Sequence, residues 1–399
     1  MNTDIQHSIR VVVIGAGYAG AMATNRFLGS LRDDERRRVR VTVVNPRPMF
    51  VERVRLHQLA AGSRGTVTLP LAAVLHRDAT VLLGWATRID AAARTLRVST
   101  VGEEVELGYD YLVYAPGSAG AAPVSGAREH GFLLGDFEGA IRTADAIRSA
   151  GPRPRIAVVG GGFTGIEAAS ELAEQHPQAE VTLYSAGPFA RGMRPAAGRS
   201  LAKALRRLGV RIEENAVVSE IEDGKLRLGA DAVHAFDVCV LATAFAVPDL
   251  AQVSGLAVDR VGRLEVDEQL RSLSDPSILG AGDAVVAPDA VAGHLRMGCA
   301  TALPLGAHAA EVLLATLRGT AAPALSIGFI AQCISLGRKN GYIQLVRSDD
   351  TPRATHVGGR LGAVVKERIC EMVLDAPMKE RTRPGAYTWP KGPHQRPAA

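Results

Sequence analysis

Two segments of this chain, 145 residues apart, carry the same pattern. Residues 9–20 read IRVVVIGAGYAG and residues 155–165 read RIAVVGGGFTG. In each, a run of β-branched apolar residues enters G-x-G-x-x-G and continues into small-residue helical sequence, AMATNRFL in the first and IEAASELAE in the second. Each glycine has a steric task. Gly15 and Gly160 make the tight turn, Gly17 and Gly162 let backbone approach a pyrophosphate, and Gly20 and Gly165 allow close helix–strand packing. The phosphates are expected at the helix N-termini, around Tyr18 and Ala19 in the first loop and Phe163 and Thr164 in the second. A second apolar strand follows each helix, ending at Asn45 and at Ser185, and alternating hairpin-like segments come next. Each copy closes on an aspartate, an apolar strand and a small-residue turn: Asp110-YLVYAPGS, containing Ala115 and Gly117, and Asp237-VCVLATAF. One such loop is weak evidence for nucleotide binding. Two in matching context make the chain a duplicated dinucleotide-binding module.

Beyond the second copy the pattern changes. A third small-residue strand end, SILGAGDAV, carries Gly282 and Asp283, and the alanine-rich stretch TALPLGAHAAEVLLATLRG reads as a long helix. The segment FIAQCISLGRKNGYIQLV alternates as antiparallel strands do. GRLGAVVKERICEMVL then places Leu361, Val364, Val365, Ile369 and Val373 at helical spacing on one face. The proline-rich end, RTRPGAYTWPKGPHQRPAA, reads as irregular or mobile.

Composition excludes several classes. At 399 residues the chain is long enough for two or three domains, and 47% hydrophobic content with a net charge of only +5 excludes a disordered chain. No apolar run approaches a bilayer span, and MNTDIQHSIR lacks the apolar centre of a signal peptide, so the expected compartment is the cytoplasm. The four cysteines, Cys239, Cys299, Cys333 and Cys370, lie far apart with no CxxC pair. A metal site, a disulfide framework and a dithiol redox centre are therefore not expected. Basic residues are scattered, without an aromatic-rich motif or a basic helix, which argues against a nucleic-acid partner.

The motifs VVVIGAGYAG, NPRPMFVERVRLHQLAAG, YDYLVYAPGS, VVGGGFTGIEAASELAE, ILGAGDAV and TALPLGAHAA together resemble the two-dinucleotide-binding-domain flavoproteins. The similarity is strongest to the branch resembling type II NADH dehydrogenases and apoptosis-inducing factor, and it covers nearly the whole chain. It implies an α/β fold of two Rossmann-like three-layer domains plus a small α+β C-terminal region. The implied division is 8–120 and 248–318 for FAD, 121–247 for NAD(P)H, and 319–399 for the C-terminal region. The resemblance assigns FAD to the first loop, NADH or NADPH to the second, and the ribityl chain to Asp283. It also implies that the helix beginning near Thr301–Pro304, with Ala302 and Leu303, presents N–H groups to the pyrimidine edge of the flavin. Asn45 stands where the family often has an acid for the adenosine ribose, with Arg47 or Arg53 as phosphate partners. Ser185 stands at the matching place in the second module. With no acid there, and Arg191 and Arg194 shortly after, NADPH is open beside NADH.

The resemblance also frames the chemistry. No cysteine precedes Cys239, so the family's dithiol route is closed. The expected reaction is hydride transfer from NAD(P)H to FAD, then delivery of electrons to a separate small-molecule acceptor, quinone or quinone-like. Glu167 is implied near the flavin–nicotinamide contact, orienting groups or relaying protons, and Phe163 as an aromatic gate. Arg55 and His57 fall in the stretch expected beside the flavin, while His308 reads as a packed or surface residue. A homodimer is implied, without a membrane span but with peripheral contact at the inner face of the membrane left open through the C-terminal helix. Two other functions fit the same cofactors: a biosynthetic flavoenzyme acting on a specific metabolite, and a redox-sensing interaction protein.

Overall fold

The structure, a computed structural model, describes residues 8–229 and 232–393. Its two main sheets are wholly parallel and built alike. In the first, the strand Ile9–Ile14 lies between Val39–Asn45 and Tyr111–Tyr114, with Ala79–Leu83 and Ile278–Gly280 at the edges. In the second, Arg155–Val159 lies between Glu180–Tyr184 and Val238–Leu241, with Arg211–Glu213 and Phe132–Leu133 at the edges. The glycine loop thus leaves the central strand both times. Each sheet unit also carries a three-stranded antiparallel meander: Trp85–Asp90, Thr95–Ser99 and Glu104–Gly108 in the first, Val218–Glu222, Lys225–Leu228 and Ala232–Ala235 in the second.

The closing aspartates explain part of the repeat. Asp110 accepts the Arg10 N–H at 2.7 Å and pairs with its guanidinium, and Asp237 does the same for Arg155 at 2.7 Å. Each therefore pins the start of the loop strand to the start of its neighbour. The chain passes between the units along two strands that pair with each other, Ala119–Ala121 and Ala244–Ala246.

The helix Cys299–Arg318 packs on the helix Tyr18–Ser30 at a close crossing, where a Cβ on Gly306 would lie 2.2 Å from the Ala19 carbonyl oxygen. Among the described residues it is the one helix long and apolar enough to cross a membrane, which the sequence pattern did not suggest. However, 78% of its apolar window is buried in the protein, as in a core helix.

The C-terminal region is a three-stranded antiparallel sheet, Ala331–Ser335, Gly341–Val346 and Pro352–Gly358, covered by the helix Gly359–Glu380. A glycine pair sets this docking: a Cβ on Gly362 would lie 2.4 Å from the Gly341 carbonyl oxygen. The rotation this fixes corrects the apolar face expected from the sequence. Val373 is buried, Ile369 packs half-buried against the core and Val365 is half-buried, whereas Leu361 and Val364 are exposed. The tail is irregular but held through Gly392, whose N–H donates to the Ser326 hydroxyl. Glu380 is fully buried, pairs with Arg26 at 3.2 Å and accepts the N–H of Tyr387, and the Trp389 indole donates to the Ser326 carbonyl. Residues 394–399 of that segment lie outside the described residues.

Candidate functional site

The two loops divide their glycines identically. Gly15 has φ +90° and a Cβ there would meet the Ala115 carbonyl oxygen at 2.3 Å; Gly160 has φ +125° and meets that of Ala242 at 2.2 Å. A Cβ on Gly20 or Gly165 would strike the carbonyl oxygen of Gly15 or Gly160 at 1.9 or 1.8 Å. Around Gly17 and Gly162, in contrast, a Cβ would meet nothing within 4 Å, and no side chain caps either helix. Open space before an uncapped helix N-terminus fits a phosphate group in both units. Tyr18 and Ala19 are buried, and Thr164 is half-buried, in the first turns of those helices. Phe163 is half-buried and packs against the apolar cluster of the second unit.

At the end of the second strand, the Asn45 side chain is already engaged. Its Oδ1 accepts the Ala16 N–H at 3.0 Å and its Nδ2 donates to the Arg47 carbonyl at 2.7 Å. Asn45 therefore shapes the loop, and the ribose role read from the sequence has to share an occupied amide. Arg47 is paired with Glu138 at 2.6 Å. Arg53 donates to the carbonyls of Ser118 and Gly135, spanning the passage between units beside Gly117. Both arginines thus meet protein partners at the positions where phosphate was expected. Ser185 is buried beneath the second loop, so close that a Cβ on Gly161 would lie 2.3 Å from its Oγ. Arg191 and Arg194 are exposed, and neither forms an ion pair among the described residues.

Asp283 follows the left-handed Gly282 (φ +85°) and is held at both oxygens. Its Oδ1 accepts the Gly298 N–H at 2.7 Å and its Oδ2 accepts the Ser118 hydroxyl at 2.8 Å. The long helix starts earlier than the sequence suggests, at Cys299 rather than near Thr301. Gly298, at φ +141°, is its cap residue, and its carbonyl already accepts the N–H groups of Thr301 and Ala302. The N–H groups left without an intrahelical partner are those of Cys299 and Ala300, not those of Ala302 and Leu303, which are buried one turn on.

Glu167 lies one turn into the helix Phe163–Gln175 and is the centre of a network drawn from four parts of the chain. Its Oε1 pairs with Lys366 Nζ at 2.9 Å and accepts the Ser335 N–H at 2.9 Å and the Ser335 hydroxyl at 3.2 Å. The Ser335 hydroxyl lies 3.3 Å from His57 Nε2. Burial disfavours a charged Glu167, but Lys366, His57 and the Ser335 N–H outweigh it and hold the carboxyl below its ordinary range. Burial likewise opposes the Lys366 charge, and Glu167 overcomes it, raising the ammonium pKa. Burial pushes His57 down to about 4 despite the pull of Glu167, so the imidazole is neutral. Arg55 is fully buried against Glu52 at 3.0 Å and Glu367 at 2.8 Å; it ties its segment to the C-terminal helix instead of facing a ligand. His308 is packed inside, with its Nε2 unpartnered among the described residues.

Lys366 and Ser335 are the site residues that sequence reasoning missed. A signal for the lysine exists: Gly362, Lys366 and Cys370 recur every four residues along the docked face, a charge set among small residues. Nothing local marks Ser335, whose partners are 168 and 278 residues away.

Comparison with known proteins agrees with this architecture. Residues 9–314 match the family model described as pyridine nucleotide-disulphide oxidoreductase. An NADH dehydrogenase-like protein of Mycobacterium tuberculosis is 31% identical over 378 residues, covering 87% of this chain and 91% of that protein. The type II NADH:quinone oxidoreductase Ndh of the same organism is 30% identical over 316 residues, 69% of this chain and 66% of that one. Among solved structures, the sulfide:quinone oxidoreductase of Aquifex aeolicus superposes with a TM-score of 0.75 at 19% identity, covering 95% of this chain and 93% of that chain, a likeness of fold.

Proposed function

We propose, for a chain that belongs to the pyridine nucleotide-disulphide oxidoreductase family, that it is an FAD-dependent dehydrogenase passing electrons from NAD(P)H to a quinone. The observation that carries this reading is the pair of open, uncapped glycine loops, one on the central strand of each parallel sheet. FAD, when bound, supplies a carrier for the two electrons between the reductant and the acceptor. The rest is the work of the chain's own residues. The loops at Gly17 and Gly162 hold the two pyrophosphates on helix N-termini. Asp283, fixed by Gly298 and Ser118, keeps its carboxylate aimed beside Gly282 for a hydroxylated chain. Lys366 keeps Glu167 ionised and Ser335 keeps it in place, so a proton acceptor is pre-oriented in a dry setting.

The type II relative supports the quinone, and an exposed apolar stripe supports its delivery from a membrane surface. Leu361, Val364 and Met372 share one side of the C-terminal helix with Arg368, suiting peripheral contact with the anionic inner face of the membrane. The reading places the enzyme on the cytoplasmic side. The serine at 185 and the exposed Arg191 and Arg194 support use of NADPH beside NADH. The test is anaerobic reduction followed by reoxidation: NAD(P)H bleaches the yellow protein and a short-chain quinone restores the colour rapidly. Slow reoxidation by every quinone tried would refute the acceptor.

A further inference from the structure

The helix Phe163–Gln175 carries three glutamates along one side, Glu167, Glu171 and Glu174, at intervals of four and three residues. Residues 335–338 lie against that side and treat the three carboxyls unequally. The Ser335 N–H donates to Glu167 and the Arg338 N–H to Glu174. The turn grips Glu174 so closely that a Cβ on Gly337 would lie 2.7 Å from its carboxyl carbon. Glu171, between them, receives no backbone donor among the described residues. Its Oε1 accepts a short hydrogen bond from the Ser63 hydroxyl and stands 4.0 Å from Arg338 Nε. Its Oε2 has no partner among the described residues, although the side chain is fully buried.

A buried carboxylate with a bare oxygen is a costly arrangement, whereas a protonated carboxyl in the same place is not. Burial pushes Glu171 above the ordinary carboxylate range and Glu174 and Glu167 add repulsion, against the opposing pull of Ser63 and Arg338. Inward, Glu167 leads to Ser335, His57 and Lys366. Outward, Glu174 lines a surface cleft of about 470 Å³ together with Leu336, Lys339 and Asn340. One helix face therefore carries three carboxyls between the cleft and the site, and the middle one is buried with a bare oxygen on which a proton can sit.

We propose that Glu171 is a proton carrier, yielding its proton toward the Glu167–Ser335–His57 network and being recharged from the cleft by way of Glu174. The role rests on the quinone reading. NAD(P)H, one proton and a quinone become NAD(P)⁺ and a quinol: two electrons and one hydrogen come from the nicotinamide, and the second hydrogen enters as a proton from water. Glu171 ends each cycle protonated, as it began.

The Glu171→Gln variant keeps the side-chain volume and cannot release a proton. In anaerobic stopped flow on the FAD-loaded protein, with NAD(P)H and a short-chain quinone, it is expected to slow reoxidation about ten- to a hundred-fold more than reduction, and to enlarge the solvent isotope effect on reoxidation. Glu171→Asp recovers most of the loss. A readout without turnover is infrared titration. The wild type shows the carbonyl stretch of a protonated carboxyl at about pH 7, and Glu171→Gln removes it. Ser63→Ala, which strips a hydrogen bond and leaves the acid, moves the disappearance of that band to higher pH. Equal slowing of both half-reactions, no protonated band in the wild type, or no shift in Ser63→Ala overturns the carrier. If the quinone reoxidises wild type and Glu171→Gln alike, the carrier fails alone. If the quinone fails to reoxidise even the wild type, the acceptor reading fails and takes the carrier with it.

Discussion

Replacing Lys366 by methionine separates the buried charge pair from the packing around it. Methionine keeps much of the lysine's length, so the glycine contact between Gly362 and Gly341 and the apolar face through Ile369 and Val373 stay in place. The loss is the 2.9 Å ion pair with Glu167, whose side chains are only 14% and 12% exposed, together with a 3.3 Å hydrogen bond from Lys366 to the Cys333 carbonyl. Removing one member of a buried pair strands the other, at about 3–5 kcal/mol. The pH dependence has a definite sign. In the wild type the folded Glu167 pKa is depressed, so its contribution is present above the unfolded value and is lost as pH falls through the folded one. Without Lys366, burial dominates and the folded pKa rises, so Lys366→Met is expected to regain stability relative to wild type as the solution is acidified. Urea unfolding of both proteins at about pH 8 and pH 5, with Glu167→Gln and the double variant, gives the cycle. The double variant should be more stable than Lys366→Met at pH 8, because no uncompensated charge remains. A loss below about 1 kcal/mol, or a double variant no better than Lys366→Met, would refute the pair as the organiser of the site.

The remaining predictions concern the loops, a histidine pair and the coenzyme. Gly17→Val should fold with nearly unchanged thermal stability yet lose FAD, since its Cβ enters open space, whereas Gly20→Val should destabilise the fold, since its Cβ would lie 1.9 Å from a carbonyl oxygen; melting curves and flavin content check both. His57 and His308 are buried and held at about 4 by desolvation, so the unfolded chain protonates first as pH falls below about 6.5. Each contribution is whole above that pH and weakens by about 2 kcal/mol near pH 5; Gln replacements should flatten the stability profile between pH 4 and 7, and an unchanged slope would refute the buried neutral state. The Arg191→Ala, Arg194→Ala double variant should lower kcat/KM for NADPH about ten-fold and leave NADH nearly unaffected, as steady-state kinetics would show.

The features legible in the sequence are those whose physics is local. A glycine that turns, opens or packs against its own strand declares itself within six residues, and both loops are built as the spacing of Gly15, Gly17 and Gly20 implies. The features that were not legible depend on distant partners. Asn45 looked like a ribose ligand because the strand end was visible, while the Ala16 N–H that claims its oxygen was not. Apolar periodicity puts Leu361 and Val364 on the same inward face of the C-terminal helix as Val365, Ile369 and Val373. The rotation is instead set by Gly362 against Gly341, from which those two residues lie roughly 100° or more away. Lys366 faces Glu167 as a consequence of that contact, and no window of the helix sequence contains it.

That same rotation bears on where the electrons go. The sequence spaces Cys299, Cys333 and Cys370 too far apart to suggest a redox pair, yet the fold gathers all three within electrostatic reach of Lys366. Proximity alone could suggest thiol chemistry. The surroundings argue against it: burial pushes Cys299 and Cys333 up to about 11 and raises Cys370 as well, and the Lys366 ammonium only partly offsets this because its charge is spent on Glu167. A thiol held protonated is a poor nucleophile, so these cysteines behave as apolar packing. The Lys366 charge is committed to keeping the Glu167 carboxylate ionised, while burial raises the carboxyl of Glu171 one turn away. A committed ammonium and buried, protonated thiols give no help to a disulfide exchange, which agrees with the proposed delivery of electrons to an external acceptor.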